Sequence, residues 1–213
     1  VSYSDSKHLG VTVSAVGPWS EQVVGMQAGE LLGILGPYGN GFKLTGKKIV
    51  LVGGGYGTAS LMLLAEKALR KKVDVTLIVG ARSEKYLLYR DRIKALGLNA
   101  IFTTDDGSFG EAGYNTDALE QQLKKGGIDT VYTCGPEMME KRVAEICRDS
   151  AVACQVSLER HMKCGFGVCG ACCMDSSGMR VCVEGPVLSG EEVLGLEEFG
   201  KYHRDSGANK HYF

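Results

Sequence analysis

The chain has 213 residues, 44% of them hydrophobic and 23% charged, with a formal net charge of −1. That length suits one large domain or two to three small ones, and the balance is an ordinary globular one that can fill a core. A near-zero charge without a basic stripe excludes strong attraction to nucleic acid or an anionic membrane, and the apolar runs are strand-sized, too short to span a bilayer.

In chain order, "VSYSDS" (1–6) has no basic-then-apolar organisation, so no secretory leader is expected. "LGVTVSAV" (9–16) alternates and predicts a strand; "GELLGILGPYGNGF" (29–42) predicts a short strand and a Gly/Pro turn. These read as closing strands of a small antiparallel sheet, a partial β-barrel over residues 1–45. A β-α-β series follows: strands at 47–54, 73–80, 99–107 and 128–135, and helices at 59–71, 84–97, 115–127 and 136–149. Asn115 or Thr116 is the expected cap of the third helix, and Pro136 opens the fourth. Such alternation predicts an α/β domain with a parallel sheet over residues 46–150. Residues 151–213 carry most of the cysteines and a short helix near 189–199, capped by Ser189.

None of the eight cysteines precedes Cys134, and five lie between Cys164 and Cys182. A general disulfide framework would spread them more widely, so a reducing compartment such as the cytoplasm is expected. Cys164, Cys169, Cys172 and Cys182 follow C-x4-C-x2-C-x9-C, a spacing that suits a [2Fe–2S] cluster. Gly165, Gly167 and Gly170 would let the loop wrap tightly and bring backbone N–H groups to the sulfurs. Zinc, disulfides and small core thiols are the competing uses, and the x4 gap fits zinc knuckles poorly. Cys173 is read as a spare, and Cys147 and Cys154 as buried structural thiols.

"VLVGGGYGTASLML" sets Gly53, Gly54, Gly55 and Gly57, then Thr58, between a strand and a helix. Helix N-termini attract phosphates, although the run departs from G-x-G-x-x-G and also suits a mere tight connection. No carboxylate clearly reads the ribose: Asp74 lies too early, and Arg82 would favour a 2′-phosphate, so NAD and NADP both stay open. Cys134, at the carboxyl end of the fourth strand, would face the cofactor crevice or be a small buried residue. A nicotinamide exchanges hydride and an iron–sulfur cluster single electrons, so the two together call for a flavin.

"GPYGNGF" (36–42), "VGGGYGTA" (52–59), "TDDGSFGEAG" (104–113), "TCGPEMM" (133–139), "CGFGVCGACC" (164–173) and "VCVEGPV" (181–187) occur in this order. With them the chain closely resembles the electron-transfer subunit of class B dihydroorotate dehydrogenase, in the ferredoxin–NADP reductase superfamily. The resemblance covers nearly the whole chain. It implies FAD in an N-terminal barrel, NAD in the middle domain and [2Fe–2S] in residues 151–213. For the flavin it implies Ser2 or Ser4, from an arginine–proline–x–serine signature whose arginine has no counterpart here. Gly17 and Ser20 would hold the flavin diphosphate. It further implies Gly53, Gly54, Gly55 and Gly57 on the dinucleotide, Asp105 and Asp106 near it, and Cys134, Gly135 and Pro136 at the nicotinamide. Cys164, Cys169, Cys172 and Cys182 match the cluster ligands. The implied activity is electron transfer between NAD and a catalytic partner that oxidises dihydroorotate on FMN, in a heterotetramer-like assembly. A reductase subunit serving a hydrogenase or glutamate synthase, and a redox-sensing scaffold, are the alternative readings.

Overall fold

The structure is a computed structural model that describes residues 1–213. Its centre is a seven-stranded sheet built from β3 (Lys48–Gly54), β4 (Asp74–Ala81), β5 (Asn99–Thr104), β6 (Glu111–Ala112), β7 (Thr130–Cys134), β8 (Ala153–Ser157) and β9 (Val187–Ser189). The strand order is β6-β5-β4-β3-β7-β8-β9; all pairs are parallel except β8–β9. The order reverses at β3, so the crevice above its carboxyl end lies between connections that leave in opposite directions. The sheet runs past residue 150: β8 and β9 extend it on the β7 side.

Alternation along β3 assigns the two faces. Ile49 and Leu51 pack with Leu61, Met62, Ala65 and Ala68 of α2 (Thr58–Arg70) and with Ile93 of α3 (Arg90–Ala95). Val50 and Val52 join the other face, with Leu119 of α4 (Asn115–Lys124) and Val143, Ala144 and Cys147 of α5 (Glu137–Asp149). This second core continues without a break into Cys172, Met174, Val181 and Cys182, and into Val193 of α6 (Gly190–Leu194). Ser189 caps α6, its Oγ accepting from Glu192 N at 3.2 Å. A hairpin of β10 (Tyr202–Arg204) and β11 (Lys210–Tyr212) ends the chain.

Three expectations are corrected. The barrel part expected of residues 1–45 is a single two-residue ladder, β1 (Tyr3–Ser4) on β2 (Leu9–Gly10), with one helix, α1 (Pro18–Gly25). Residues 11–16 alternate but find no neighbouring strand, and a strand without a ladder leaves its backbone unpaired. In 29–42, Gly29, Gly36 and Gly39 take φ of 99°, 144° and 65°, which interrupts any extended run. The helix expected over 84–97 is a 3-10 turn, Glu84–Tyr86, then α3, because Leu87 turns into the core and Tyr89 takes φ 62°. The α4 helix starts at Asn115, whose side chain serves the crevice instead of capping.

Residues 43–48 tie the N-terminal segment to the sheet. Tyr132 is fully buried, its hydroxyl accepting from Thr45 N at 2.7 Å and lying 3.1 Å from the carbonyls of Lys43 and Thr45. Replacing Tyr132 by Phe strands that N–H, and urea unfolding should register a loss of about 1–3 kcal/mol. An unchanged midpoint would show that the hydroxyl contributes nothing.

Candidate functional site

Above the carboxyl ends of β3, β4 and β7 lies a cavity of about 890 Å³. At its floor β3 gives way to a turn, Gly55–Gly57, and then α2. The turn must be glycine because two backbones meet there. A Cβ on Gly57 would lie 2.4 Å from the Cys134 carbonyl oxygen, and one on Gly54 would lie 2.7 Å from Met139 Sδ and Pro136 Cδ. At Gly55, with φ 52°, a Cβ would meet nothing within 4 Å, leaving the backbone bare toward the cavity. The N-terminus of α5 carries no side-chain cap and its first turn lines the cavity, whereas the turn Gly55–Gly57 runs directly into α2, Thr58 N donating to Gly55 O, so on the α2 side it is the Gly54–Tyr56 backbone that meets the cavity. Arg82, Lys85 and Arg142 line the wall against one carboxylate, Asp105. A free helix N-terminus and bare turn backbone with an excess of cations fit the diphosphate of a dinucleotide.

Gly54, Gly55 and Pro136 line this cavity, whereas Gly53, Gly57 and Thr58 lie beneath it. Thr58 Oγ1 is buried without a protein partner. Asp106 turns away, its Oδ1 accepting from Ser108 Oγ at 2.6 Å and Ser108 N at 3.0 Å, and Asp105 lines the wall instead. Asn115 was not anticipated; its Nδ2 donates to Gly53 O at 3.1 Å. Arg142, paired with Glu120 at 2.6 Å, was also missed, since on a helix it reads as a solvated charge.

Cys134 is not on the cavity wall. Burial pushes its thiol up to about 11, with Ser60 and Ser157 bonded to it, so at neutral pH it is uncharged. The carboxyl groups nearby belong to the first turns of α5 and to the segment after β8. Glu140 is 1% exposed and accepts from Gly135 N at 2.9 Å; burial pushes it up to about 8. Glu137 pairs with Arg160 in a buried ion pair and accepts from Gly200 N at 2.7 Å. Tyr56, on the cavity wall, donates to Glu159 at 2.8 Å; burial and then that bond push it up to about 12.

The four spaced cysteines come together as two pairs. Cys164 accepts from Cys169 N at 3.5 Å, and Cys172 from Cys182 N at 3.4 Å. The N–H groups of Cys169, Phe166 and Val168 pull the Cys164 thiol down to about 6. Burial, then the bond to Cys172, pushes Cys182 up. Gly165, Gly167 and Gly170 have φ of 79°, 85° and 70°, and a Cβ on Gly167 would lie 2.7 Å from Val183 Cγ2. Two thiol pairs with backbone N–H groups aimed at sulfur suit a two-iron cluster. Cys172 and Cys182 are buried, Cys169 is exposed, and Phe166 and Val168 stand exposed beside it. The Cys173 backbone bridges to Arg180; Cys147 and Cys154 are buried against each other.

Residues 36–42 clasp this loop: Asn40 Nδ2 donates to the carbonyls of Val183 and Glu184 at 3.2 and 3.0 Å, and the Tyr38 ring lies 6.1 Å from that of Phe166. Ser4 lies in β1 and Gly17 before α1. Ser20 Oγ accepts from Val16 N and Gly17 N, both at 3.0 Å, so its hydroxyl is engaged in starting α1.

Comparison with known proteins bears on both centres. A family model for an oxidoreductase NAD-binding domain matches residues 51–145, and one for the iron–sulfur cluster binding domain of dihydroorotate dehydrogenase B matches 159–194. A probable dihydroorotate dehydrogenase B (NAD(+)) electron transfer subunit of Methanocaldococcus jannaschii is 40% identical over 95% of this chain and 78% of its own length. That of Methanothermobacter thermautotrophicus is 44% identical over 95% and 75%. Among solved structures, a chain of an NADH-dependent reduced ferredoxin–NADP oxidoreductase, studied for flavin-based electron bifurcation, is 35% identical with a TM-score of 0.73, over 84% of this chain and 66% of that one. A ferredoxin reductase of carbazole 1,9a-dioxygenase, 20% identical with a TM-score of 0.53, shares the fold.

Glu140 generates a pH test. An ordinary glutamate near 4.5 is raised to about 8 by burial, so in the folded chain it stays protonated between those values while the unfolded chain ionises. Stability therefore falls as pH rises from about 4.5 to about 8 and is flat beyond. In Glu140→Gln the unfolding free energy should exceed wild type by a margin that grows from pH 5 to pH 8. A constant margin would show that Glu140 is ionised in the folded protein.

Proposed function

The chain belongs to the electron transfer subunits of dihydroorotate dehydrogenase B, and on that premise we propose that it carries electrons between a catalytic partner and NAD in pyrimidine biosynthesis. It is an oxidoreductase subunit with a ferredoxin reductase-like fold, joining a parallel-sheet NAD-binding part to an iron–sulfur region. The observation that carries the reading is the pairing of Cys164 with Cys169 and of Cys172 with Cys182 in the same chain as the glycine-floored, cationic crevice. When bound, the cluster exchanges single electrons, the nicotinamide a hydride, and a flavin converts one to the other.

The chain's own residues do the following work. The N–H groups around Gly54 and Gly55, with Arg82, Lys85 and Arg142, bind and orient the dinucleotide. Asp105 accepts from its ribose hydroxyls in place of Asp106. Cys134, uncharged and shielded by Ser60 and Ser157, packs behind the nicotinamide position and keeps water out. Residues 1–45 are the part that faces the flavin, residues 46–150 serve the dinucleotide, and 151–213 the cluster. The exposed Phe166 and Val168 beside Cys169 form the face toward the catalytic partner, which alone binds dihydroorotate. No helix is long and apolar enough to cross a membrane, and free thiolate ligands suit a reducing cytoplasm. The 35% identity to the ferredoxin–NADP oxidoreductase chain favours one second reading, the same chemistry serving another partner.

Absorption spectra with iron, sulfide and flavin analysis of the purified protein test the cofactors. Cys169→Ser should abolish the cluster spectrum and Cys173→Ser leave it intact; the reverse result would overturn the ligand assignment. Phe166→Asp with Val168→Asp should weaken capture of an FMN-containing dehydrogenase at least tenfold without loss of iron. Capture of a different redox protein by the unaltered chain would establish the second reading.

A further inference from the structure

Glu140 lies outside the cavity, yet it holds the turn that forms one end of it. The Cys134–Pro136 turn packs backbone to backbone on the dinucleotide loop: a Cβ on Gly135 would sit 2.9 Å from Gly54 Cα and N. Cys134 is the last residue of the β7 ladder, opposite Gly53, and Pro136 has no N–H. The Gly135 N–H between them donates to Glu140 Oε1 at 2.9 Å, from a side chain 1% exposed in the first turns of α5. Immediately beyond, Pro136 and Met139 line the cavity at the β7 end, opposite Arg82 and Lys85 at the β4 end. In open α/β sheets the adenosine ribose is read after the second strand, here β4, so the β7 end receives the nicotinamide.

We propose that Glu140 is a positioning residue for the nicotinamide half of the dinucleotide, fixing the Cys134–Pro136 turn against Gly54 through Gly135 N. This rests on the dinucleotide reading of the crevice. Glu140 does not touch the ligand. It sets where Pro136 and Met139 stand, so its loss acts on one half of the ligand and spares the half held by Gly55 and Arg82.

The test is titration calorimetry of the full chain as purified, with NAD⁺ and with ADP-ribose, which lacks only the nicotinamide. Glu140→Leu fills the same space and removes the acceptor; Glu140→Gln keeps an acceptor oxygen. Glu140→Leu should bind NAD⁺ about tenfold more weakly and ADP-ribose within twofold of wild type, while Glu140→Gln restores NAD⁺ to within twofold. Equal weakening of both ligands, or none, would overturn the proposal. Hydrogen exchange of wild type gives a readout independent of any variant's folding: the Gly135 N–H should be protected, and free exchange there would also overturn it. If wild type binds neither nucleotide, the dinucleotide reading itself fails, a result distinct from both.

Discussion

Two backbones meet where β3 and β7 end, and the approach of Gly57 to the Cys134 carbonyl leaves no room for a side chain between them. Everything at the crevice follows from that contact. It lets the turn after β3 carry α2 up under the cavity while the turn after β7 sends α5 up beside it. The uncapped first turn of α5 and the backbone of the turn leading into α2 then line one space, and the cations on its wall act in the same sense as the helix end. A single methyl group at Gly57 would push the two turns apart and separate the helix ends.

The second constraint is the shared core. The face of the sheet that packs α4 and α5 also packs Cys172, Met174, Val181 and Cys182. The iron–sulfur loop is therefore anchored in the same apolar cluster as the dinucleotide sheet. Buried polar groups bind the parts further: Arg160 and Glu137 join the segment before Cys164 to α5, and Tyr56 reaches Glu159 from the glycine turn. A side chain on the nucleotide loop and one five residues before Cys164 thus share a hydrogen bond.

Much of this was legible in the chain. "KIVLVGG" is apolar on both faces, as only a central parallel strand is, and its glycines announced the tight turn. The cysteine spacing marked Cys164, Cys169, Cys172 and Cys182 as one set of ligands; their division into two pairs was not in it. What was hidden depends on partners distant in sequence. Residues 11–16 alternate like a strand, but alternation cannot supply a neighbour. Short β8 and β9 become strands only because β7 offers an open edge. Asp105 and Asp106 are indistinguishable in sequence, and the Asp106 bond to Ser108 decides which faces the crevice. Glu140 reads as one more charge on a polar helix, until the Gly135 N–H and the fold around it enclose it.

The unequal setting of the thiol pairs bears on how the protein matures. Cys172 and Cys182 belong to the hydrophobic interior, whereas Cys169 and its neighbours face solvent. An occupant that the folded loop holds more tightly than the unfolded chain does stabilises the sheet as well, by mass action. The empty form is then the one more open to proteolysis, in the nucleotide half as well as in the loop.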